Sequence, residues 1–291
     1  MYKKYVNNDF PVILPVDIKK HHTSCSLLFS RWIASIPLSY FLIFTLFIFA
    51  IPSVSYAIDN SSSVNPFATL LKWMPVLLTK GFMMNVIISF LTVAIGTILG
   101  IFLGLGQISH FSFVRKISAI ITQIFRNSPW LVLLFIVMLS FPFEVTIGNI
   151  VIPIPDWFKG VIGLSLPLMA NISEIVRGAI QSVPTGQWEA SESLAFSRTQ
   201  TLWRIILPQT IKRMIPPWMN WYAIMTMATP LVSLLGVTEV VNLSRQAMEA
   251  ENNDPSLLVP FYGFCLVIFF LYTYPIARLT ISLEKKFAVK L

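Results

Sequence analysis

The residues of this chain that could do chemistry are few, and their spacing suits recognition better than bond making. Glu189 and Glu192 stand three apart beside Ala190 and Ser191 in a polar stretch, the pattern of a short helix offering carboxylates to a partner. Asn171, Glu174 and Arg177 follow at three-residue steps and share one helical face, where Glu174 can pair with Arg177. That pair either neutralises a helix end at a membrane interface or forms a gate or wall of a translocation path. Arg126-Asn127-Ser128-Pro129 puts a charge and a helix-breaking proline into an apolar run; the charge must face a cavity, a partner or, by snorkelling, the interface. Catalysis has no comparable candidates. His21, His22 and His110 lack metal-ligand spacing, and neither a nucleophile elbow nor a Gly-rich phosphate loop occurs. No catalytic or metal site is therefore assigned. Cys25 and Cys265 lie far apart and give no disulfide framework.

Membrane helices must position these groups. Of 291 residues, 55% are hydrophobic and only 12% charged, against roughly 25% charged in a soluble domain. Apolar runs at 37–58, 82–106, 113–141, 157–180, 214–236 and 257–278 have the ~20-residue length that crosses a bilayer core. They predict an all-α polytopic membrane helical bundle of five core transmembrane helices plus one amino-terminal apolar segment. With both termini inside, the spans leave only Lys72, Lys80, Lys159 and Arg245 outside, the orientation selected by the positive-inside rule. The carboxyl terminus is then cytoplasmic, and the net charge of +8 belongs to cytoplasmic loops rather than to a nucleic-acid surface. The first run fits either a transmembrane helix or a signal-like segment. Ser55-Tyr56-Ala57 before Asp59-Asn60-Ser61 resembles a cleavage site, yet the preceding stretch of about 36 residues is long for a signal.

Within the spans, Gly96, Gly100 and Gly104 at four-residue spacing allow close approach of another helix, within the chain or at a subunit interface. Pro216-Pro217 is expected to open the fifth span and Pro230 to interrupt it. Asn220, Thr229 and Ser233 along this broken helix make it the candidate lining of a pore.

The forty residues 178–217 are too polar to cross and predict two short helices. Pro184-Thr185-Gly186 reads as a turn and 187–196 as the first helix, with Ala190, Leu194 and Ser197 as a less polar stripe. A second turn at Ser197 leads into 202–206, a piece that Pro208 ends. Glu189 and Glu192 near the start of the first helix, with Arg198 past its end, suit the helix dipole. Two carboxylates beside an anionic leaflet disfavour a helix lying on lipid, so protein docking is the expected role.

Here the chain resembles the membrane permease subunits of ABC importers. Glu189-Ala190-Ser191, Leu194-Ala195-Phe196-Ser197 and Ile206-Leu207-Pro208-Gln209 are similar to the EAA loop of that family. The branch resembled is the polar amino-acid type, the histidine and glutamine permeases. The likeness to that branch is carried by Gly81-Phe82 through Gly104, Phe125-Arg126-Asn127-Ser128-Pro129, Glu174-Ile175-Val176-Arg177-Gly178, Ile180-Gln181-Ser182-Val183-Pro184 and Leu235-Gly236-Val237-Thr238-Glu239. It runs through a permease domain at about 80–290, with the EAA coupling loop at about 181–213, and leaves an extra amino-terminal segment at 1–60 outside.

The resemblance implies a subunit of a two-subunit core, homo- or heterodimeric, in a bacterial inner (plasma) membrane. Two cytosolic ATPase subunits and an extracytoplasmic solute-binding protein would serve it. This chain would bind no cofactor of its own, ATP-Mg being used by the partner ATPase. The ATPase-coupling residues would be Glu189, Ala190, Ser191, Leu194, Ala195, Ser197 and Pro208. Two departures from the family pattern stand out. Ala195 replaces a usual glycine, an exchange expected to stiffen the turn between the loop helices. The fifth span carries Trp221, Met227 and Ala228 before Thr229-Pro230, where the family commonly has ligand-reading charges. Either a non-identical partner subunit supplies those charges or the substrate is less polar.

Overall fold

The structure, a computed structural model, describes residues 65–147 and 150–287; the segment 1–60, with its apolar run at 37–58 and Cys25, lies outside the described residues. Asn65 opens the first helix, its Oδ1 accepting from the Phe67 and Ala68 amides at 3.2 and 3.3 Å, with Pro66 in the first turn. α1 (Pro66–Val76) passes through a π turn at Leu77–Phe82 into α2 (Met83–Gln107), giving one apolar helical run of 42 residues. The span expected at 82–106 therefore starts earlier. Lys72, Lys80 and Gly81 mask its beginning in the sequence. Lys72 is satisfied by Glu251 at 2.8 Å, and Trp73 Nε1 donates to the same oxygen at 3.2 Å. These donors, Lys72 first, hold the half-buried Glu251 carboxyl below its usual pKa. Gly81 is required by contact, because a Cβ there would meet Val240 Cα at 2.8 Å.

α3 (Ser112–Asn127) and α4 (Trp130–Ser140) share the run expected at 113–141 but bend by 105° at Ser128-Pro129. Pro129 has no amide proton, and Ser128 is extended with its hydroxyl turned back to the Ile124 carbonyl at 2.6 Å. After α4 comes a hairpin that the helical reading omitted. β1 (Glu144–Ile147) pairs antiparallel with β2 (Ile150–Pro153), built from β-branched residues on either side of Gly148-Asn149.

α5 (Asp156–Gln181) is the central helix: 72% of its apolar window is buried, against 33% and 28% in the other two long spans. At its hairpin end Lys159 is fully buried. Its ammonium lies 3.1 Å from Asp156 Oδ1, outside hydrogen-bond geometry, and 3.7 Å from the centre of the Phe143 ring. An ion pair and a cation–π contact offset the burial of the charge. The sequence reading placed Lys159 on the outer side of the membrane; the structure adds that its side chain is covered.

The loop follows as α6 (Thr185–Ser193) and α7 (Arg198–Thr201), then a π turn at Leu202–Ile206 and α8 (Leu207–Ala228). Here the structure corrects the sequence reading. Pro208 does not end a helix, and Pro216-Pro217 do not begin one, since all three lie inside the helical run 198–235. The π turn loosens the backbone one residue before Leu207-Pro208, which removes the clash that an α-helical proline would cause. Proline at 216 costs Lys212 a helical donor, but Lys212 is exposed, where water can reach its carbonyl. The interruption expected at Pro230 is present: α8 gives way to a 3₁₀ segment at Thr229–Leu235, closed by Gly236 at φ +83°. α9 (Val240–Ala250) and α10 (Leu258–Phe287) complete the chain.

Three single helices, or five spans when each bent pair counts as one, are long and apolar enough to cross a membrane among the described residues. The upper count equals the five core helices expected. Water cannot drive helices together inside lipid, so van der Waals fit has to. The fit is closest between α2 and α5. A Cβ at Gly96 would meet Leu168 at 2.8 Å, at Gly100 Ile172 at 2.7 Å, and at Gly104 Val176 at 2.7 Å. The glycine stripe thus serves packing within the chain. Gly100→Ala, with the Met169 carbonyl also 2.9 Å from the added methyl, is expected to cost about 1–3 kcal/mol. Thermal unfolding in detergent should show a lowered midpoint, whereas Gly186→Ala, with open space around it, should leave the midpoint near wild type.

Candidate functional site

Two polar regions and one exposed helix account for most of the residues singled out by sequence. The exposed helix is α6. Pro184 precedes it in an extended conformation, so the expected turn at Pro184-Thr185-Gly186 is already the first turn of the helix. Its inward side consists of Trp188, which packs on the core around Val176, Ile180 and Ile206, and of Ser191, which is buried and bonded back to the Gln187 carbonyl at 2.5 Å. Gln209 Nε2 donates to Gln187 Oε1 at 2.7 Å, and Arg213 Nη1 reaches the Ser182 carbonyl and hydroxyl at 3.0 and 2.7 Å. The first bond ties α6 to the start of α8, and the other two tie α8 to the end of α5, just before α6.

The opposite side is open. Glu189, Ala190, Glu192 and Leu194 are all exposed, Leu194 by 70%. The stripe of Ala190, Leu194 and Ser197 therefore faces away from the protein rather than into it. With the helix starting at Thr185 and ending at Ser193, Glu189 sits mid-helix and Glu192 in the last turn, so the dipole match expected from the sequence is absent.

Ala195 holds the turn between α6 and α7 at φ +59°, in the left-handed region. Its amide donates to the Glu192 carbonyl at 2.9 Å and that of Phe196 to the Ser191 carbonyl at 3.1 Å. The backbone there demands what glycine gives freely, at a cost to alanine of about 1–2 kcal/mol. Ser197 then starts α7 with a capping box, its Oγ accepting from the Gln200 amide at 3.3 Å while Gln200 Oε1 accepts from the Ser197 amide at 2.9 Å.

The first polar region joins two motifs that the sequence kept apart. Glu174 accepts from Arg177 Nη2 at 2.6 Å and Nε at 3.2 Å, and Arg126 Nη1 approaches the same carboxylate at 3.6 Å. Arg177 also donates to Gln181 Oε1 at 2.8 Å. One half-buried carboxylate thus holds the end of α3 to α5. Asn171 is half-buried and donates to the Pro167 carbonyl at 2.8 Å, and Asn127 donates to the Gln123 carbonyl and Oε1. Pro129 is exposed at the bend. Beside this region Gln107 donates to Thr122 and Ser173 at 3.0 and 3.1 Å, a buried bridge across α2, α3 and α5.

The second region was not identified by sequence reasoning. Glu239 is fully buried; it accepts from Asn85 Nδ2 at 2.8 Å and caps α9 by accepting the Asn242 amide at 2.8 Å. Asn85 also donates to Thr229 Oγ1 at 2.8 Å and accepts from the Val240 amide at 3.1 Å. The one available signal was an acidic residue standing just before an amphipathic helical run, a capping position. Of the three fifth-span candidates, Thr229 is buried in this network and Ser233 is half-buried, bonded to the Pro230 carbonyl at 2.7 Å. Asn220 is exposed. These residues do not form one cluster. No group of three or more His, Cys, Asp or Glu among the described residues is placed to hold a metal ion.

Residues 96–281 match the family described as "Binding-protein-dependent transport system inner membrane component". Among curated proteins, the chain is similar to the inner membrane amino-acid ABC transporter permease protein YhdY of Escherichia coli (strain K12), 32% identical over 191 residues. That match covers 65% of this chain and 50% of the relative, so the chain spans half its length. It is also similar to the L-cystine transport system permease protein TcyB of Bacillus subtilis (strain 168), 35% identical over 186 residues, 63% of this chain and 75% of the relative. The probable amino-acid ABC transporter permease protein YckA of the same organism is 37% identical over 162 residues, covering 56% and 69% of the two chains. Among solved structures, a chain of an amino acid ABC transporter with histidines shares the fold, with a TM-score of 0.65 and 24% identity over 77% of this chain and all of that one. A match over nearly two thirds of the chain, on a helical bundle of this shape, shows that the chain belongs to the family of binding-protein-dependent transport system inner membrane components.

Proposed function

We propose that the chain is the membrane permease subunit of an ATP-driven importer of amino acids, coupled to a separate ATPase through α6. The observation that carries this reading is a nine-residue helix fixed on its inner side and left open on the other, where Glu189, Ala190, Glu192 and Leu194 offer charge, a small contact and an apolar tip. Such a face suits a groove on a cytosolic partner. The loop end of the bundle, and with it the carboxyl terminus, is then cytoplasmic, in accord with the distribution of basic residues. ATP-Mg would be bound and hydrolysed on the partner, and closure of two such partners would move the docking helices of two permease subunits to reorient the cavity between them. An extracytoplasmic solute-binding protein would deliver the solute. The names of the relatives support amino acids as the substrate class. A polar amino acid is the leading choice; an amino-acid derivative or another small solute is the alternative, because the fifth span has Trp221, Met227 and Ala228 where charges would read a polar ligand.

Two measurements test the coupling. Glu189→Lys should weaken co-purification with the cognate ATPase by about tenfold or more, the effect of losing an interface residue worth over ~1.4 kcal/mol, and should reduce uptake in step. Unaltered assembly and uptake would sink the docking role. Ala195→Gly should relieve the left-handed strain at the loop turn. Because glycine also loosens the unfolded chain, the net gain is about 0.5–1 kcal/mol, read as a raised thermal midpoint and slower proteolysis at the loop.

A further inference from the structure

A cleft of about 560 Å³ opens beside the loop, between the turn joining α2 to α3 and the segments on either side of α6. Its walls are largely apolar, and its charged lining residues are Arg115 and Arg198, with His110 near them and no carboxylate. Arg115 is oriented by donating to the Ser109 carbonyl at 3.0 Å and Ser112 Oγ at 3.4 Å, which leaves further guanidinium protons unused. Arg198 lies over the Trp188 ring at 5.4 Å. Among the described residues neither arginine has an acidic partner. Phe111, which lines the cleft, and Phe113, two residues on in sequence, are 75% and 76% exposed, which fits surroundings of acyl chains rather than water.

We propose that this cleft binds the phosphate headgroup of an anionic phospholipid, Arg115 and Arg198 holding the phosphate and the apolar walls receiving the glycerol and upper acyl carbons. Its volume is that of a small-ligand site, and basic pockets between helices at the cytoplasmic face suit anionic headgroups. Charge complementarity selects the phosphate, and the exposed phenylalanines select a lipid over free phosphate. The bound headgroup would bridge α3 to the start of α7, bracing the loop against the membrane helices. The inference rests on the inward orientation of the loop proposed above.

Native mass spectrometry of the full chain, purified with its ATPase partner, tests the site by titration with phosphatidylglycerol, with phosphatidylcholine and with inorganic phosphate as competitor. The expected result is retention of phosphatidylglycerol about tenfold over phosphatidylcholine, collapse of that preference in the Arg115→Gln/Arg198→Gln double variant, and no change in Lys212→Gln. Arg198→Gln alone, at an exposed position, should lower the preference about threefold and serves if the double variant does not fold. Equal binding of the two lipids, an unaltered double variant or an equal loss in Lys212→Gln would overturn the site. Displacement by inorganic phosphate would overturn the lipid assignment in favour of a free anion. Lipid adducts are counted on the permease whether or not the ATPase stays bound, so failure here is separate from failure of the docking role.

Discussion

The contact between α2 and α5 at Gly96, Gly100 and Gly104 is the constraint on which the other placements depend. Helices surrounded by lipid gain nothing from hiding apolar surface from one another, so a stable pair needs backbones close enough for many short contacts. Leu168, Ile172 and Val176 fill the space that three absent side chains leave. With α5 seated this way, its 26 residues span roughly 39 Å and carry three fixed points: the buried Lys159 at one end, Glu174 and Arg177 near the other, and α6 just beyond. If α6 docks on a partner as proposed, a helix anchored so firmly is a suitable base for it, because a loop on a loose base would dissipate any push it received.

Polar groups inside the bundle divide into clamps and edges. The Asn85–Glu239–Thr229 network ties the start of α9 to α2, and the Gln107–Thr122–Ser173 bridge ties α2, α3 and α5 near the loop end. Each interhelical bond is worth only about 0.6 kcal/mol on average in membrane proteins, but leaving such groups unpaired in hydrocarbon costs several times more. Their main effect is to exclude other registers. Arg126, Glu174 and Arg177 sit at a half-exposed edge instead, where one carboxylate shared by two guanidiniums can exchange partners at little cost.

Much of this was legible in the sequence, since apolar length and basic loops are direct consequences of the bilayer. The fourth span was expected at 157–180 and lies at Asp156–Gln181, because its polar ends are sharp. The loop was legible as two short helices but not in its facing: period alone groups Ala190 with Leu194 and cannot say which side Trp188 will anchor. Prolines were legible only in part: Pro129 and Pro230 interrupt their helices as expected. By contrast, Pro208, Pro216 and Pro217 are absorbed, because helix survival depends on whether a π turn or water can replace the lost bond. The hairpin and the Glu239 network escaped for another reason: strand pairing and buried capping are tertiary facts that single-residue hydropathy averages away.

The absorbed prolines change what the loop can do mechanically. Because the helical run continues from Arg198 to Leu235, a displacement of the α6–α7 turn would enter the fifth span directly. That run is not uniform. The π turn at Leu202–Ile206 and the 3₁₀ segment at Thr229–Leu235 are its two places with irregular hydrogen bonding, and helices bend where the ladder is irregular. Between them lies α8, bonded to its neighbours by Trp218 to Thr97 at 2.7 Å and Tyr222 to Tyr272 at 2.7 Å. A push on the loop would therefore be absorbed first at the π turn, then carried along α8, then met at Thr229, which Asn85 holds directly while also bonding Glu239. In the coupling proposed for this chain, the open face of α6 would take the push, and the buried network of Asn85, Thr229 and Glu239 would resist it at the far end of α8.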